Sequence, residues 1–276
     1  MDDTTAPATA GRYGEDLFSP VYSDESQRLI ALAAACDPAT TSTLAELRIA
    51  PGADCLEIGA GTGSLSVWIA ENRAPRRVVA TDLDTKAMLD LRHPALEILR
   101  HDVRVDSFPP SSFDLIVARN LLCHLPQREQ ILARIIGWLR PGGHLFVEDT
   151  SFFPAESSPD PTLRTLARAA ATLMADSIGS DVQNWARSYP RPLMRHALTD
   201  IGLRIDCPVL TATNPAGRAW RLSIEALTTK IHQTGIVDPA LLIEAMTHLG
   251  DPAFTDSAHA MIAAWGQRPL TSMSLL

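Results

Sequence analysis

Between Asp54 and Glu148, short runs of apolar and β-branched residues alternate with stretches in which apolar positions recur every three or four residues. Asp54-Cys-Leu-Glu-Ile58, Arg77-Val-Val-Ala-Thr81, Leu96–Arg100, Phe113-Asp-Leu-Ile-Val-Ala118 and His144-Leu-Phe-Val-Glu148 read as buried strands. Helices are predicted between them: Ser64–Asn72 with Leu65, Trp68 and Ile69 facing inward, Thr85–Leu91, and Pro126–Leu139 with Ile131, Leu132, Ile135 and Ile136 on one side. Strands alternating with helices over short loops predict a parallel sheet covered on both faces. Further on, helices are expected over Thr162–Ile178, Leu193–Ile201, Arg218–His232 and Pro239–Leu249, with strands over Arg204–Thr211 and Ala260–Trp265. The expected fold is α/β, a doubly wound, mainly parallel, seven-stranded Rossmann-like sheet with a helical cap.

The same pattern divides the chain. Residues 1–11 read as a loose tail, and 12–46 as an N-terminal helical cap segment of one or two helices, with Asp37-Pro38 a candidate cap and first turn. Residues 47–150 form the ligand-binding core, and 151–276 the rest of the sheet with cap insertions. Composition adds exclusions. With 24 basic against 32 acidic residues, the net charge of −8 speaks against a nucleic-acid partner, because phosphate neutralisation needs a basic surface. No run of 18 apolar residues is present, and Met-Asp-Asp-Thr-Thr is not a secretory signal, so no membrane contact is expected and the cytoplasm is the expected location. Cys36, Cys55, Cys123 and Cys207 form no CxxC pair, and the eight histidines lack ligand spacing, so no metal is expected.

The chemistry is concentrated at the strand ends. Glu57-Ile-Gly59-Ala-Gly61-Thr-Gly63 sits at the first strand-to-helix turn, where an open α/β sheet binds its ligand and a side chain would keep the ligand from the backbone. Asp82 ends the second strand, where a carboxylate can take both ribose hydroxyls. Asp102 follows the third, where it can accept from an adenine amino group. A nicotinamide dinucleotide would call for Gly-x-Gly-x-x-Gly, but Ser64 stands at the third glycine position. Glu57 would repel a diphosphate, whereas it favours a ligand carrying an ammonium and a sulfonium. The electrostatics point to S-adenosyl-L-methionine.

Cys55-Leu-Glu-Ile-Gly-Ala-Gly-Thr-Gly63, Val78-Val-Ala-Thr-Asp82, His101-Asp102, Phe113-Asp-Leu-Ile-Val117 and Leu139-Arg-Pro-Gly-Gly143 together resemble the successive motifs of class I S-adenosylmethionine-dependent methyltransferases. More narrowly, the chain is similar to actinobacterial-type small-molecule enzymes related to the quinone-biosynthesis group, with methyltransferase type 11 or 25 domains. The resemblance covers about residues 45–150. It implies that Gly59 and Gly61 line the methionine and ribose with Glu57 behind them. It also implies that Asp82 holds the ribose, Leu83 covers the adenine, Asp102 and Val103 read the adenine edge, and Arg119 lies beside the methionine end.

Methyl transfer from a sulfonium is an in-line displacement that alignment alone can greatly accelerate. A base is required only when the nucleophile arrives protonated. The candidates are His124, read either as a base or as a packing residue, and Glu148 or Asp149 at the end of the fifth strand. Those two neighbours point to opposite faces and cannot serve one acceptor together. Tyr13, Tyr22, Trp185 and Tyr189 flank the core and read either as a lid over an apolar or aromatic acceptor or as packing. The expected function is methyl transfer to a small specialised metabolite by a monomer or homodimer. A cyclase or isomerase of the same fold is the alternative, and a nicotinamide oxidoreductase is disfavoured.

Overall fold

An unbroken row of buried positions marks the first strand, β1 (Asp54–Ile58), as one covered on both faces. The computed structural model describes Phe18 and residues 25–270 apart from 180, 236 and 258. Tyr13, Tyr22 and the tail over residues 1–11 lie outside the described residues.

Helix α1 (Glu25–Glu46) precedes the sheet. After β1 come α2 (Ser64–Asn72), β2 (Arg77–Asp82), β3 (Leu96–Arg100), β4 (Phe113–Arg119), α3 (Arg128–Trp138) and β5 (Leu139–Ser151). The second half runs through α4 (Phe153–Glu156), α5 (Pro161–Ile178), α6 (Val182–Trp185), α7 (Arg191–Arg195), β6 (Thr199–Asp206), β7 (Val209–Thr211), α8 (Pro215–Thr234), α9 (Pro239–Gly250), β8 (Thr255–Ser257) and β9 (Ala260–Gln267). The main sheet has the order β3-β2-β1-β4-β5-β9-β6, and β7 pairs with β8 as a separate ribbon. Strands β3 to β5 run parallel across β1, while β9 enters antiparallel between β5 and β6. The expected doubly wound α/β sheet of seven strands is therefore present. The order reverses between β1 and β4, which opens a crevice at their carboxyl ends.

Four local expectations need correction. Pro38 does not start a helix but lies inside α1, which runs on because Ala31, Cys36, Thr40, Thr43 and Leu44 are buried along it. Tertiary packing outweighs the missing proline N–H. The expected Thr85–Leu91 helix shrinks to a single 3-10 turn, Lys86–Met88, in which only Met88 is buried. Leu198 and Ile201 look helical by spacing, yet the helix stops at Arg195 and Thr199 begins β6, paired with β9. Arg204–Thr211 splits around Cys207-Pro208, because a proline there has no N–H to give a ladder.

Helices α5 and α8 close over the carboxyl edge, each stopped by a left-handed glycine, Gly179 and Gly235. Their buried residues, with those of α3, α9 and the second half of the sheet, form the larger core cluster, and α2 packs a smaller one on the opposite face. Among the described residues, no helix is long and apolar enough to cross a membrane, and no three His, Cys, Asp or Glu gather as metal ligands would.

Candidate active site

A cavity of about 1700 Å³ opens over the crevice, well above the roughly 300–1,000 Å³ of an ordinary small-ligand pocket. One end is lined by Gly59, Gly61, Asp82, Leu83, Asp102, Val103 and Arg119, so seven of the eight residues expected to hold the cofactor converge on it. The other end is walled by apolar residues of α1, α5 and α8, among them Leu29, Leu166, Met174, Trp220 and Leu227.

The turn after β1 is locked by Asp82, whose Oδ2 accepts from the Gly61 N–H at 2.8 Å and whose Oδ1 accepts from the Asp84 N–H at 3.2 Å. Burial raises the Asp82 carboxyl, and these backbone donors pull against the rise. Gly61 has φ +57°, and a Cβ built there meets nothing within 4 Å. The space above it belongs to the cavity. Gly63, by contrast, holds a left-handed φ of +75°, and a Cβ there would lie 2.5 Å from the tip of Leu91. Gly61→Ala should cost the fold about 1–2 kcal/mol of left-handed strain while placing a methyl group in the open cavity space above the turn. We expect an affinity loss for S-adenosylmethionine larger than the stability loss, measured by calorimetry and denaturant unfolding on the same variant.

Past the ends of β2 and β3, Leu83 stays 40% exposed and Val103 is buried, an apolar pair on the cavity wall. Asp102 is already engaged: Arg104 donates to it from Nε at 2.9 Å, from Nη2 at 2.7 Å and from its backbone N–H at 3.0 Å. Sequence reasoning missed Arg104, and only its position two residues after Asp102 hints at the pair. Among the buried polar atoms of lining residues that lack a partner within the described residues are His101 Nε2 and Asn120 Oδ1. Asn120 holds a left-handed φ of +49° just past β4. Buried polar atoms are rarely left unmet, so the open cradle over Gly61 and these two atoms fit a polar ligand of the adenosyl type.

Behind the wall lies a buried ionic cluster. Arg119 donates to Asp37 Oδ1 at 2.8 Å and to Thr40 Oγ1 at 3.2 Å, and Thr40 donates to Glu148 at 2.6 Å. Ser66 donates to Glu57 at 2.5 Å. Burial pushes both Glu57 and Glu148 up to about 7, against the pull of Arg119, Ser66 and Thr40. Glu57 thus stands behind the glycines, not on the cavity surface.

The catalytic carboxylates of the sequence reading need correction, because neither lines the cavity. Glu148 faces α1 through Thr40. Asp149, on the other face of the same strand, accepts from Tyr189 OH at 2.5 Å, Trp185 Nε1 at 3.1 Å and Leu121 N at 3.1 Å. Alternation along a strand dictates this separation. Of the two readings of Trp185 and Tyr189, packing fits: both are buried and absent from the cavity lining, each with its polar atom turned to Asp149. His124 alone of the three catalytic candidates reaches the wall. Burial, and the nearby Arg28, push its imidazole down to about 3, so it is neutral at pH 7.

A family model described as a methyltransferase domain matches residues 56–145. The methyltransferase str3 of Strobilurus tenacellus is 36% identical over 104 residues, 36% of each chain. Phosphoethanolamine N-methyltransferase 3 of Arabidopsis thaliana is 29% identical over 120 residues, 41% of this chain and 24% of its own. The matched segments thus span well under half of these relatives. Among solved structures, the YcgJ protein of Bacillus subtilis superposes with a TM-score of 0.54 at 13% identity, covering 84% of this chain and 99% of its own. Phosphoethanolamine N-methyltransferase 2 of Haemonchus contortus, in complex with S-adenosyl-L-methionine, gives 0.51 at 17% identity, covering 93% and 55%. The motifs at the crevice, the strand order and the methyltransferase domain matched over residues 56–145 together support a class I S-adenosylmethionine-dependent methyltransferase.

Proposed function

We propose that this protein transfers a methyl group from S-adenosyl-L-methionine to a small, uncharged, largely apolar molecule, aromatic in part, of specialised metabolism. One observation carries the reading: a single cavity runs from Gly59 and Asp82 to the apolar walls of α1, α5 and α8. Asp82 would take the ribose hydroxyls, Leu83 and Val103 the adenine faces, Asp102 its edge, and Arg119 the carboxylate of the methionine portion. Bound there, the cofactor supplies a methyl group carried on a cationic sulfur. The chain's own part is to align an acceptor with that group and keep water out, which suffices for large acceleration. His124, neutral on the wall, offers an acceptor hydroxyl only a weak base.

The acceptor's lack of charge follows from the wall. Arg28 is the cation that α1 contributes to the apolar end, and it is engaged by Glu25 at 2.7 and 2.8 Å and by the face of Phe18. Relatives named for phosphoethanolamine handle a phosphate ester, for which this end offers no comparable unspent cation among the described residues. The reducing cytoplasm suits the four free cysteines.

The test is incubation with S-adenosylmethionine and a panel of lipophilic phenols, alcohols and amines. S-adenosylhomocysteine should form in step with a product heavier by one methylene. Product formation at full rate with S-adenosylhomocysteine alone would mark a cyclase or isomerase instead, and absence of cofactor binding would overturn the reading. The ionic cluster adds a pH signature. Glu57 and Glu148 hold protons up to about pH 7, whereas their ordinary value is 4.5, so their burial costs stability increasingly as pH rises from 4.5 to 7. A net positive ligand favours their charged forms. Binding of S-adenosylmethionine near pH 6.5 should therefore release protons and tighten towards pH 8, read as a buffer-dependent enthalpy in calorimetry; a buffer-independent enthalpy would contradict it.

A further inference from the structure

The apolar end of the cavity contains a polar relay that methyl transfer leaves unused. Trp220 on α8 lines the cavity, and its Nε1–H donates to Nδ1 of His259, in the turn before β9, at 3.2 Å. An indole nitrogen can only donate, so Nδ1 carries no proton and the ring proton of neutral His259 sits on Nε2. That nitrogen lies 3.9 Å from Sγ of Cys36 on α1. Burial pushes His259 down to about 4 and so keeps the imidazole neutral, as the contact with Trp220 requires. The imidazole plane lies 19° from that of the indole, with centroids 6.5 Å apart. Phe152, also on the cavity wall, meets the indole edge-on at 6.0 Å. Three elements that touch only in the folded chain thus fix one indole, whose sole polar atom is turned into the wall.

We infer that Trp220, held in a single orientation by His259, is the specificity-determining wall of the acceptor chamber and selects a flat, uncharged ring over a puckered or flexible body of equal size. His259, which also borders the chamber, is then a positioning residue for the indole. That the guest is a methyl acceptor rests on the proposed function; the selectivity for flat rings does not. A fixed aromatic face gains from an offset or edge-on partner ring, whereas a freely turning one loses much of that gain to ordering.

The test uses two guests on one carbon skeleton, 2-naphthol and decahydro-2-naphthol, titrated by calorimetry into the full chain saturated with S-adenosylhomocysteine. The readout is the ratio of their dissociation constants, compared between proteins. His259→Leu should shrink the wild-type preference for 2-naphthol about fivefold. His259→Asn, whose amide oxygen can accept the indole N–H, should keep most of it. Trp220→Phe keeps His259 and a ring but no N–H, and should also lose the preference; it decides the matter if His259→Leu does not fold. A role in packing alone would weaken both guests alike and leave the ratio where it was. An unchanged ratio in His259→Leu and Trp220→Phe, or no binding of either guest to the wild type, would overturn the inference. If S-adenosylmethionine and S-adenosylhomocysteine give no heat, the same titrations are run on the unliganded chain. An intact ratio shift would then sink methyl transfer and leave this inference standing.

Discussion

Arg119→Met is expected to destabilise the fold by about 3–5 kcal/mol at pH 7, the usual cost of stripping one partner from a buried ion cluster. Arg119 pairs with Asp37 at 2.8 Å and is the nearby cation that offsets the buried Glu57 and Glu148. Without it, both glutamates must stay protonated well above their ordinary value, and the unfolded chain would gain from ionising them. The loss should therefore shrink at pH 5, where both carboxyls are protonated in the wild type as well. Urea unfolding of wild type and variant at the two pH values measures this. An equal loss at both would mean that Arg119 contributes through packing and its pair with Asp37, and not through the two glutamates.

The second large effect is expected at Asp149. Its carboxylate accepts from Tyr189 OH, Trp185 Nε1 and Leu121 N. Asp149→Ala strands the Leu121 N–H and takes the acceptor from Tyr189, while Trp185 keeps Tyr189 OH at 2.9 Å. Cys123, whose thiol and backbone N–H also hydrogen-bond this carboxylate, loses its partner too, and each buried group left unmet costs about 1–3 kcal/mol. Relief of burying a carboxyl pushed up to about 6 offsets part of this, so a net loss of about 3 kcal/mol is expected. Cofactor affinity should fall with it, because Leu121 lines the cavity and packs against Gly59. Asp149→Asn keeps an acceptor oxygen and should recover most of the stability. Denaturant midpoints and cofactor titrations on both variants decide the matter, and an alanine variant as stable as wild type would show that these hydrogen bonds add nothing net.

The two halves of the site differed in how far they could be read in advance. Glycines at a strand-to-helix turn and acidic residues at successive strand ends occupy fixed places in a parallel sheet, so the convergence of Gly59, Gly61, Asp82 and Asp102 on one cavity was legible from spacing. Asn120 was not, since its signal is a left-handed backbone that only the completed turn after β4 reveals. Trp185 and Tyr189 stayed open between a lid and packing for a related reason: an aromatic residue outside the strands can face a cavity or a core, and local sequence does not say which. Here the acceptor they found was Asp149, some forty residues earlier in the chain.

By itself the amino-acid sequence determined the strand–helix alternation, the crevice it must leave, and the ligand class whose charge agrees with Glu57 and Asp82, because each depends on short-range periodicity or on position within one repeating unit. Tertiary structure alone decided that Pro38 is carried within a continuous helix, that Glu148 and Asp149 turn away from the cavity, and that Cys36, Trp220 and His259 meet. Those outcomes depend on which buried polar groups find partners across long chain separations, and burial makes such pairing compulsory without naming the partner in advance.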